Sequence, residues 1–362
     1  MFDLEMTEDQ KLIHDTVASF TKAEIRPVAR DCDESGVIPG ALAEKGFELG
    51  LIHSAIPEEQ GGFGETRSAV TGAIVAEELG WGDLSIALHL LAPRLLVYPL
   101  LDAGSAAQRA ATLPPFAKRF HAATAAVVEP RFDFDTLRFA TIATPKDGGF
   151  VLNGAKCFVP LAQDADTMLV LAQLGDTPAA FLVERGAAGV TVGEREQNMG
   201  LKALATYEVG FENVQLPASA RVGSDAASVE RMLNHSRIAL GALALGMSRA
   251  AYDYARDYAK ERKAFGVAIA QKQAIAFILA EMAIEVDATR LLLWEAASLL
   301  DQGKEATREC VLAKRYASNA ALKITDNAVQ VLGGHGYVRD HPVELWLRNA
   351  RGFTSFEGMA IV

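Results

Sequence analysis

The sequence predicts a mainly α-helical protein with one β-rich domain in its middle. Three observations lead to this fold class: helix-type apolar spacing up to about residue 120, short β-type runs between about 122 and 222, and long alanine-rich helical stretches from about 226 onward. At 362 residues the chain is too long for a single small core. We therefore place the domain boundaries at 1–121, 122–222 and 223–362.

The N-terminal part is predicted to be helical. Thr7 is the expected N-cap of the first helix, because acidic residues and a periodic apolar pattern follow it. The apolar residues that recur there at three- and four-residue spacing are Leu12, Ile13, Val17 and Phe20. A proline and three glycines in "PEEQGGFGE" (57–65) interrupt the pattern, and "SAVTGAIVAEELG" resumes it.

The central part has the composition of β-strands. Runs such as "GGFVLNGAKCFV", "TMLVLAQL" and "YEVGFENVQL" are rich in β-branched and aromatic residues and are separated by Gly, Asn and Asp. The stretch "KDGGF" (146–150) predicts a hairpin turn, since D-G and G-G supply the positive φ that tight turns need. Closely spaced strands of this kind predict a compact antiparallel barrel or sandwich.

The C-terminal part carries apolar residues around most of each helical stretch, for example in "QAIAFILAEMAIEVDATRLLLWEAASLLDQG". A helix that is apolar nearly all round is buried on more than one face, in a bundle or in an oligomer interface.

Composition excludes several classes of protein. A net charge of −11 and a pI near 5.2 argue against nucleic acid or an anionic membrane as the main partner. The three cysteines, Cys32, Cys157 and Cys310, are far apart, which favours neither a disulfide framework nor a zinc site, so no metal is expected. The acidic start has no apolar h-region, and no run of about 18 apolar residues predicts a membrane span. We expect a cytoplasmic protein.

Common catalytic signatures are missing from the sequence. We find no G-x-G-x-x-G, Walker loop, G-x-S-x-G or H-E-x-x-H motif, and the seven histidines are scattered. A nicotinamide-binding Rossmann enzyme, a P-loop enzyme and a zinc hydrolase are therefore poorly supported.

Several long stretches resemble the acyl-CoA dehydrogenases, and the resemblance spans nearly the whole chain. It is densest and most specific between 199 and 358. The stretches that carry it are "IPEEQGGFGE", "VVEP", "VLNGAKCFV", "MGLKALATYEVGFENVQLP", "SRIALGALALGMSRAAYDYARDYAKERKAFGVAIAQKQAIAFILAEMA", "AVQVLGGHGYVRDHPVELWLRNA" and the closing "FEG".

The resemblance implies an N-terminal helical domain, a middle antiparallel β-barrel and a C-terminal four-helix bundle. It also implies the α,β-dehydrogenation of an acyl-CoA thioester to the trans-2-enoyl-CoA, with FAD as hydride acceptor. This agrees with the order of helices and strands derived above from periodicity.

The family motif with Tyr or Phe before Glu-Gly places the catalytic base on Glu357, nine residues after Arg348. Relatives that carry the base on the first bundle helix have it just before an arginine, but here Ser236 precedes Arg237. An α-hydrogen of a thioester is a weak acid, so the reaction needs a positioned base. The resemblance places the substrate near Arg237, Phe134, Phe356 and Gly358. The alternative for Glu357 is an ordinary solvated carboxylate.

The resemblance also implies which residues bind the cofactor. "ERKAFG" would place Arg262 near the FAD pyrophosphate and Phe265 against the adenine side, with Gln273 eleven residues after Arg262. "QVLGGHG" would add Gln330 and the Gly333–Gly334 backbone. In the family these groups reach the FAD of a neighbouring subunit, which implies at least a dimer. Each has a simpler interpretation: a salt bridge for Arg262, core packing for Phe265 and a helix stop for the glycines.

The central domain departs from the family pattern at the loops that face the flavin. Val128 replaces the usual threonine of Thr-Glu-Pro, and Phe134 replaces the serine of Gly-Ser-Asp. The usual Trp-Ile-Thr is Phe158 to Pro160, and Pro160 offers neither a hydroxyl nor an N–H. Phe158 is still expected to pack on the isoalloxazine ring.

These departures leave two alternatives to a self-sufficient enzyme. In the first, the chain is one subunit of a hetero-oligomer whose partner completes the FAD site. In the second, it is an interaction subunit that catalyses no reaction of its own. We favour an enzyme that takes acyl-CoA, passes electrons to an electron-transfer flavoprotein and forms a homo- or hetero-oligomeric dimer or tetramer. A processed mitochondrial matrix form is the alternative to the cytoplasm.

Overall fold

The computed structural model describes residues 5–362, so the first four residues of the acidic start lie outside the described part. The N-terminal region is helical, as predicted. Thr7 caps the first helix in a capping box, because its hydroxyl accepts from Gln10 N–H while the Gln10 side chain accepts from Thr7 N–H. The helices are α1 Glu8–Phe20, α2 Ala29–Ser35, α3 Gly40–Glu48, α4 Ala69–Gly82, α5 Leu84–Leu91, α6 Arg94–Ala103 and α7 Ala106–Thr112.

The apolar residues of α1 are only partly buried. Val17 is buried, whereas the Leu12 side chain is 69% exposed. The periodicity thus located the helix correctly but does not show how much of its apolar face is covered.

The central region forms one sheet of eight strands in the order β6-β7-β3-β2-β4-β5-β8, with β1 beside β4. Their bounds are β1 Thr124–Ala126, β2 Ile142–Lys146, β3 Gly149–Pro160, β4 Thr167–Leu174, β5 Thr177–Glu184, β6 Val190–Arg195, β7 Thr206–Pro217 and β8 Arg221–Val222. Most pairs are antiparallel, and β2 joins β3 through the predicted hairpin, where Asp147 and Gly148 have φ of 49° and 80°. The sequence did not predict that β1 and β2 pair with β4 in parallel.

Strand β4 lies between two cores. Met168 and Val170 point into the core of the sheet, and the alternate residues Leu169 and Leu171 point into the large helical core. Both faces of this strand are therefore covered, and the sheet packs directly on the helices.

The C-terminal region is built from three long helices and shorter ones. They are α8 Ala226–Glu261, α9 Gln273–Asp301, α10 Thr307–Leu332, α11 Gly334–Tyr337 and α12 Val343–Ala350, and a small hairpin of β9 Lys263–Ala264 and β10 Val267–Ala268 lies between α8 and α9. The long helices pack on one another, α12 packs on α10 and α8, and α4 of the N-terminal region packs on α8 and α9. The domain boundaries at 121/122 and 222/223 remain a proposal.

Two glycines let α4 and α8 cross closely. A Cβ on Gly246 would lie 1.9 Å from the Glu77 carbonyl oxygen, and one on Gly80 would lie 2.5 Å from the Leu243 carbonyl oxygen. Glycine is required at this crossing because any side chain would separate the helices.

Within the described residues, no single helix is long and apolar enough to cross a membrane. The pair α5 and α6, which is bent by 42°, meets the length and composition test only when both helices are taken together.

Candidate active site

Glu357 lies in the segment that follows α12. The turn before it is closed by hydrogen bonds from Ser355 N–H and Phe356 N–H to the Gly352 carbonyl oxygen. Gly358 then has a φ of 65°, and a Cβ on it would lie 2.2 Å from Val127 Cγ2. Glycine is therefore needed directly after Glu357, both for the left-handed backbone and for the close approach to the β-domain.

A lysine contacts the Glu357 carboxylate. Lys314 Nζ on α10 donates to Glu357 Oε1 at 2.9 Å, and the two side chains are 10% and 18% exposed. Glu357 Oε2 is buried and has no hydrogen-bond partner among the described residues. One carboxylate oxygen is thus bound by the lysine, and the other is enclosed by protein atoms without a hydrogen bond from the described residues.

A cavity of about 390 Å³ opens beside this carboxylate. Its lining is mostly polar and contains three cationic side chains and one carboxylate. The lining residues are Arg237, Val311, Lys314, Arg315, Ser318, Asn319, Thr354 and Glu357. The structure therefore brings the predicted base and the predicted substrate residue Arg237 to one cavity.

Arg237 is buried in α8, and neutral groups hold its guanidinium. Nη1 donates to Asn234 Oδ1 at 2.8 Å, and Nη2 donates to Thr136 Oγ1 at 3.2 Å. Thr136 belongs to the altered loop of the β-domain, so that loop is tied directly to the cavity. Ser236, at the family's other position for the base, has a buried hydroxyl without a partner among the described residues.

Phe134 and Phe356, which were predicted to lie near the substrate, do not line the cavity. The Phe134 ring is half-buried, 6.2 Å from the Phe139 ring. The Phe356 ring is buried and meets the Phe158 ring edge to face, with centroids 6.4 Å apart. Phe158 thus connects the β-domain to the segment that carries Glu357.

Two backbone N–H groups of the predicted flavin-facing segments already donate hydrogen bonds within the chain. Phe158 N–H donates to Glu196 Oε1 at 3.1 Å, and Cys157 N–H donates to the Val128 carbonyl oxygen at 2.9 Å. Pro160 ends β3 and has no N–H to donate. Glu196 Oε2 is buried without a partner within residues 5–362.

The residues predicted to reach a neighbouring subunit are exposed. The Phe265 side chain is 94% exposed, so core packing is not its role in a single chain. Arg262, Gln273 and Gln330 are also exposed. Apart from the chain neighbours and the backbone of the glycine's own helix, no described atom lies within 4 Å of a Cβ built on Gly333 or Gly334.

These exposed residues lie far from Glu357 within one chain. Lys314 marks the position of Glu357 on α10, and Gln330 lies sixteen residues later on the same helix. A helix rises 1.5 Å per residue, so the two positions are about 24 Å apart along the axis. The two groups therefore cannot touch the same ligand atom from one chain.

FAD fits these residues unevenly. The exposed end offers a cation, an aromatic ring and an open glycine backbone, which suits the phosphates and adenine of a dinucleotide. The β-domain offers the Phe158 ring for stacking, but Pro160 and the bonded N–H of Phe158 leave few donors for a flavin edge. Within the described residues, no group of three or more His, Cys, Asp or Glu side chains could hold a metal ion.

The sequence analysis did not identify Lys314 or Arg315. A signal was present for Lys314, because it stands between Ala313 and Ala317 on the buried face of an alanine-rich helix. A lysine on such a face needs a partner, since a buried charge without one is costly.

The structure also holds a larger cleft of about 720 Å³, between α1 and the segments around residues 48–55 and 63–72. None of the predicted site residues lines it. The smaller cavity is lined by the predicted base Glu357 and the predicted substrate residue Arg237.

The chain matches three domain models of one family. They are described as the N-terminal domain of acyl-CoA dehydrogenase over residues 7–119, the middle domain over 124–214 and the C-terminal domain over 226–360.

Two curated relatives match almost the whole chain. An acyl-CoA dehydrogenase of Bacillus subtilis is 33% identical over 364 residues, which cover 98% of this chain and 96% of the relative. A cyclohex-1-ene-1-carbonyl-CoA dehydrogenase of Syntrophus aciditrophicus is 35% identical over 357 residues, covering 96% of this chain and 86% of the relative.

Solved structures have the same fold. Butyryl-CoA dehydrogenase from Megasphaera elsdenii aligns with a TM-score of 0.88 at 30% identity, covering 98% of this chain and 96% of that one. A chain from work on the electron transferring flavoprotein of Acidaminococcus fermentans and flavin-based electron bifurcation aligns with a TM-score of 0.89 at 32% identity and the same coverage. The FAD complex of PigA aligns with a TM-score of 0.89 at 26% identity, covering 98% and 95%.

Proposed function

Because the chain belongs to the acyl-CoA dehydrogenase family, oxidoreductases that act on CH–CH bonds, we propose that Glu357 is the base that removes the α-proton of an acyl-CoA thioester. The product is the trans-2-enoyl-CoA. The relatives support acyl-CoA dehydrogenation as the reaction class.

The observation that carries this proposal is the Glu357 carboxylate at the wall of a cavity, where one lysine holds one of its oxygens. Oε1 accepts from Lys314, and the buried Oε2 has no hydrogen-bond partner among the described residues. A general base must come within hydrogen-bond reach of the proton that it takes. Glu357 lines the cavity, so a substrate whose α-carbon enters it brings that proton to the carboxylate.

Arg237 orients the substrate in this proposal. Its guanidinium is fixed by Asn234 and Thr136, and it lines the same cavity as Glu357. Phe356 and Gly358 fix the direction of Glu357, and Phe134 supports the loop that contacts Arg237. A fixed geometry of this kind is what makes proton removal from a weak carbon acid efficient.

FAD, when bound, accepts the hydride from the β-carbon of the substrate. We propose that Val128, Phe158 and Pro160 of one chain form the wall against the flavin ring. Arg262, Phe265, Gln273, Gln330, Gly333 and Gly334 would bind the pyrophosphate and adenine side from a neighbouring chain. Their exposure and their distance from Glu357 support this division.

We further propose an oligomer, at least a dimer, with an electron-transfer flavoprotein as electron acceptor. The exposed cofactor-binding end supports the oligomer, and the structural neighbour from the electron transferring flavoprotein work supports the acceptor. A cytoplasmic location remains a prediction.

A second candidate is a subunit of a hetero-oligomeric dehydrogenase. Pro160, together with the use of Phe158 N–H by Glu196, favours it, because these groups leave the flavin edge short of donors. In that case a partner chain completes the FAD site, and the chain alone purifies without flavin. The remaining alternative is a non-catalytic interaction subunit, in which Glu357 would have no catalytic role.

The experiment that tests the function is turnover with a panel of acyl-CoA esters and an artificial one-electron acceptor. Mass spectrometry of the products is expected to show an ester that has lost two hydrogens. A panel of straight, branched and cyclic acyl groups without any such product, on protein that contains FAD, would contradict the proposal.

A further inference from the structure

One turn of α10 holds the segment that carries Glu357 in two places. Lys314 Nζ donates to Glu357 Oε1 at 2.9 Å. Ser318 Oγ, four residues later, lies 2.8 Å from the Lys314 carbonyl oxygen and 3.3 Å from the Phe353 carbonyl oxygen. Residues four apart share a helix face, so one face of α10 contacts both the Glu357 carboxylate and the backbone of the segment that carries it.

The ion pair is not a surface pair. Its side chains are 10% and 18% exposed, whereas Lys323 on the same helix is 47% exposed in its pair with Glu285. Exposed pairs contribute little, but attraction between charges is stronger where water is excluded. Removing one member of a buried pair also leaves an uncompensated charge.

The pair involves one oxygen of the carboxylate. The contact with the ammonium group restrains the position of the carboxylate at the cavity, and the buried Oε2 has no hydrogen-bond partner among the described residues. Arg237 and Arg315 line the same cavity, yet Lys314 is the only cation within ion-pair distance of Glu357 among the described residues.

We propose that Lys314 is a positioning residue: its contact with Oε1 holds the Glu357 carboxylate at the cavity that takes the α-carbon of the substrate. This inference rests on the proposed function of Glu357. In the step concerned, the α-carbon–hydrogen bond breaks, its electron pair stays with the thioester, and the proton moves to the Glu357 carboxylate.

The test measures exchange of deuterium from the α-carbon of an acyl-CoA into water, without an electron acceptor, on the flavin-containing protein. The deuteron moves to the Glu357 carboxylate, exchanges with solvent and is replaced by a proton. Lys314→Met is expected to slow exchange at saturating ligand by about 10- to 100-fold, as small misplacements of a catalytic group do. The half-saturating concentration is expected to change little, and Lys314→Arg, which keeps a cation, to recover most of the rate.

Lys323→Met is the matched control, because it removes a lysine and its ion pairs with Glu281 and Glu285 from the same helix at an exposed position. This control variant is expected to exchange deuterium at the wild-type rate. If Lys314→Met also exchanges at the wild-type rate, the inference about Lys314 is overturned and the proposed function of Glu357 remains. If the wild-type protein shows no exchange, both the inference and the proposed function are overturned.

A second measurement does not depend on flavin or turnover. The unfolding temperatures of Lys314→Met, Glu357→Gln and the double variant are compared with the wild type. Each single change leaves a buried partner unpaired, so the double variant is expected to lose less stability than the two losses added. Strictly additive losses would show that the two side chains do not interact and would overturn the inference.

Discussion

The Tyr258 hydroxyl lies 2.8 Å from His335 Nδ1, and this contact joins the end of α8 to α11, the short helix that follows α10. Arg262 N–H donates to the Tyr258 carbonyl oxygen at 2.8 Å. Arg262, which follows α8, and Gly333–Gly334, which precede His335, are therefore held close together. The residues proposed to reach a neighbour's FAD thus form one surface.

This arrangement predicts complementation between two inactive variants. Glu357→Gln removes the base from one chain, and Phe265→Ala combined with Arg262→Ala removes the exposed cofactor contacts from another. In a mixed dimer one site keeps both intact halves. Co-expressed chains are expected to regain about a quarter of the wild-type activity, because random pairing gives half mixed dimers with one intact site of two.

The control places all three substitutions on one chain and co-expresses it with the wild-type chain. If each site takes its base and its exposed contacts from different chains, no mixed dimer has an intact site, and about a quarter of the wild-type activity remains; if each site lies within one chain, about half remains. Retention of the larger fraction in this control, or no recovery in the test pair, would contradict sites shared between chains.

Phe134→Ser is predicted to change the preference among acyl-CoA esters. The Phe134 ring packs against Phe139, and Thr136 of the same loop bonds to Arg237 in the cavity. Losing the ring loosens this loop, so the ratio of kcat/KM between two esters is expected to shift by about 10-fold. Phe132→Ser is the control, since Phe132 is fully exposed on the same loop. An unchanged preference in Phe134→Ser would remove Phe134 from the determinants of specificity.

Asp83→Asn is predicted to stabilise the protein more at neutral pH than in acid. Asp83 caps α5 through Ile86 N–H at 3.0 Å, and its burial raises the pKa to about 6 from an ordinary 3.8. The stability that Asp83 contributes is present below pH 3.8 and is lost as pH rises through 6, by about 3 kcal/mol. Asparagine also caps a helix, and it does not titrate.

The measurement is the free energy of unfolding of both proteins between pH 4 and 7.5. Asp225→Asn is a control of opposite sign. Asp225 caps α8 at the surface, and hydrogen bonds from the Ser228 side chain and backbone lower its pKa. Its contribution is lost in acid, so the cost of Asp225→Asn is expected to be larger at neutral pH. A difference between Asp83→Asn and wild type that does not vary with pH would contradict the account of Asp83.

Local patterns were sufficient to predict much of the fold. The Thr7 cap and the Asp147–Gly148 turn depend on neighbours in sequence, and the structure confirms both. The order of helices and strands follows from periodicity. The parallel pairing of β1 with β4 depends on contacts between segments more than forty residues apart, which no local pattern contains.

In the site, too, local patterns predicted some features and contacts between distant segments determine others. The motif around Glu357 identified the carboxylate, and the structure places it in the same cavity as Arg237. Its partner Lys314 was not predicted, because the ion pair arises from the packing of α10 on the segment after α12. The hydrogen bond from Phe158 to Glu196 likewise joins strand β3 to the segment that follows β6.

The central claim is that Glu357 removes the α-proton of an acyl-CoA, and anaerobic flavin reduction tests it most directly. The absorbance of the bound flavin is followed after adding acyl-CoA to the wild-type protein and to Glu357→Gln. We predict that both proteins bind FAD, that one or more acyl-CoA esters bleach the wild-type flavin, and that the Gln variant bleaches slower by about 10⁴-fold or more, as loss of an essential base does. Bleaching of Glu357→Gln at the wild-type rate would show that the base lies elsewhere.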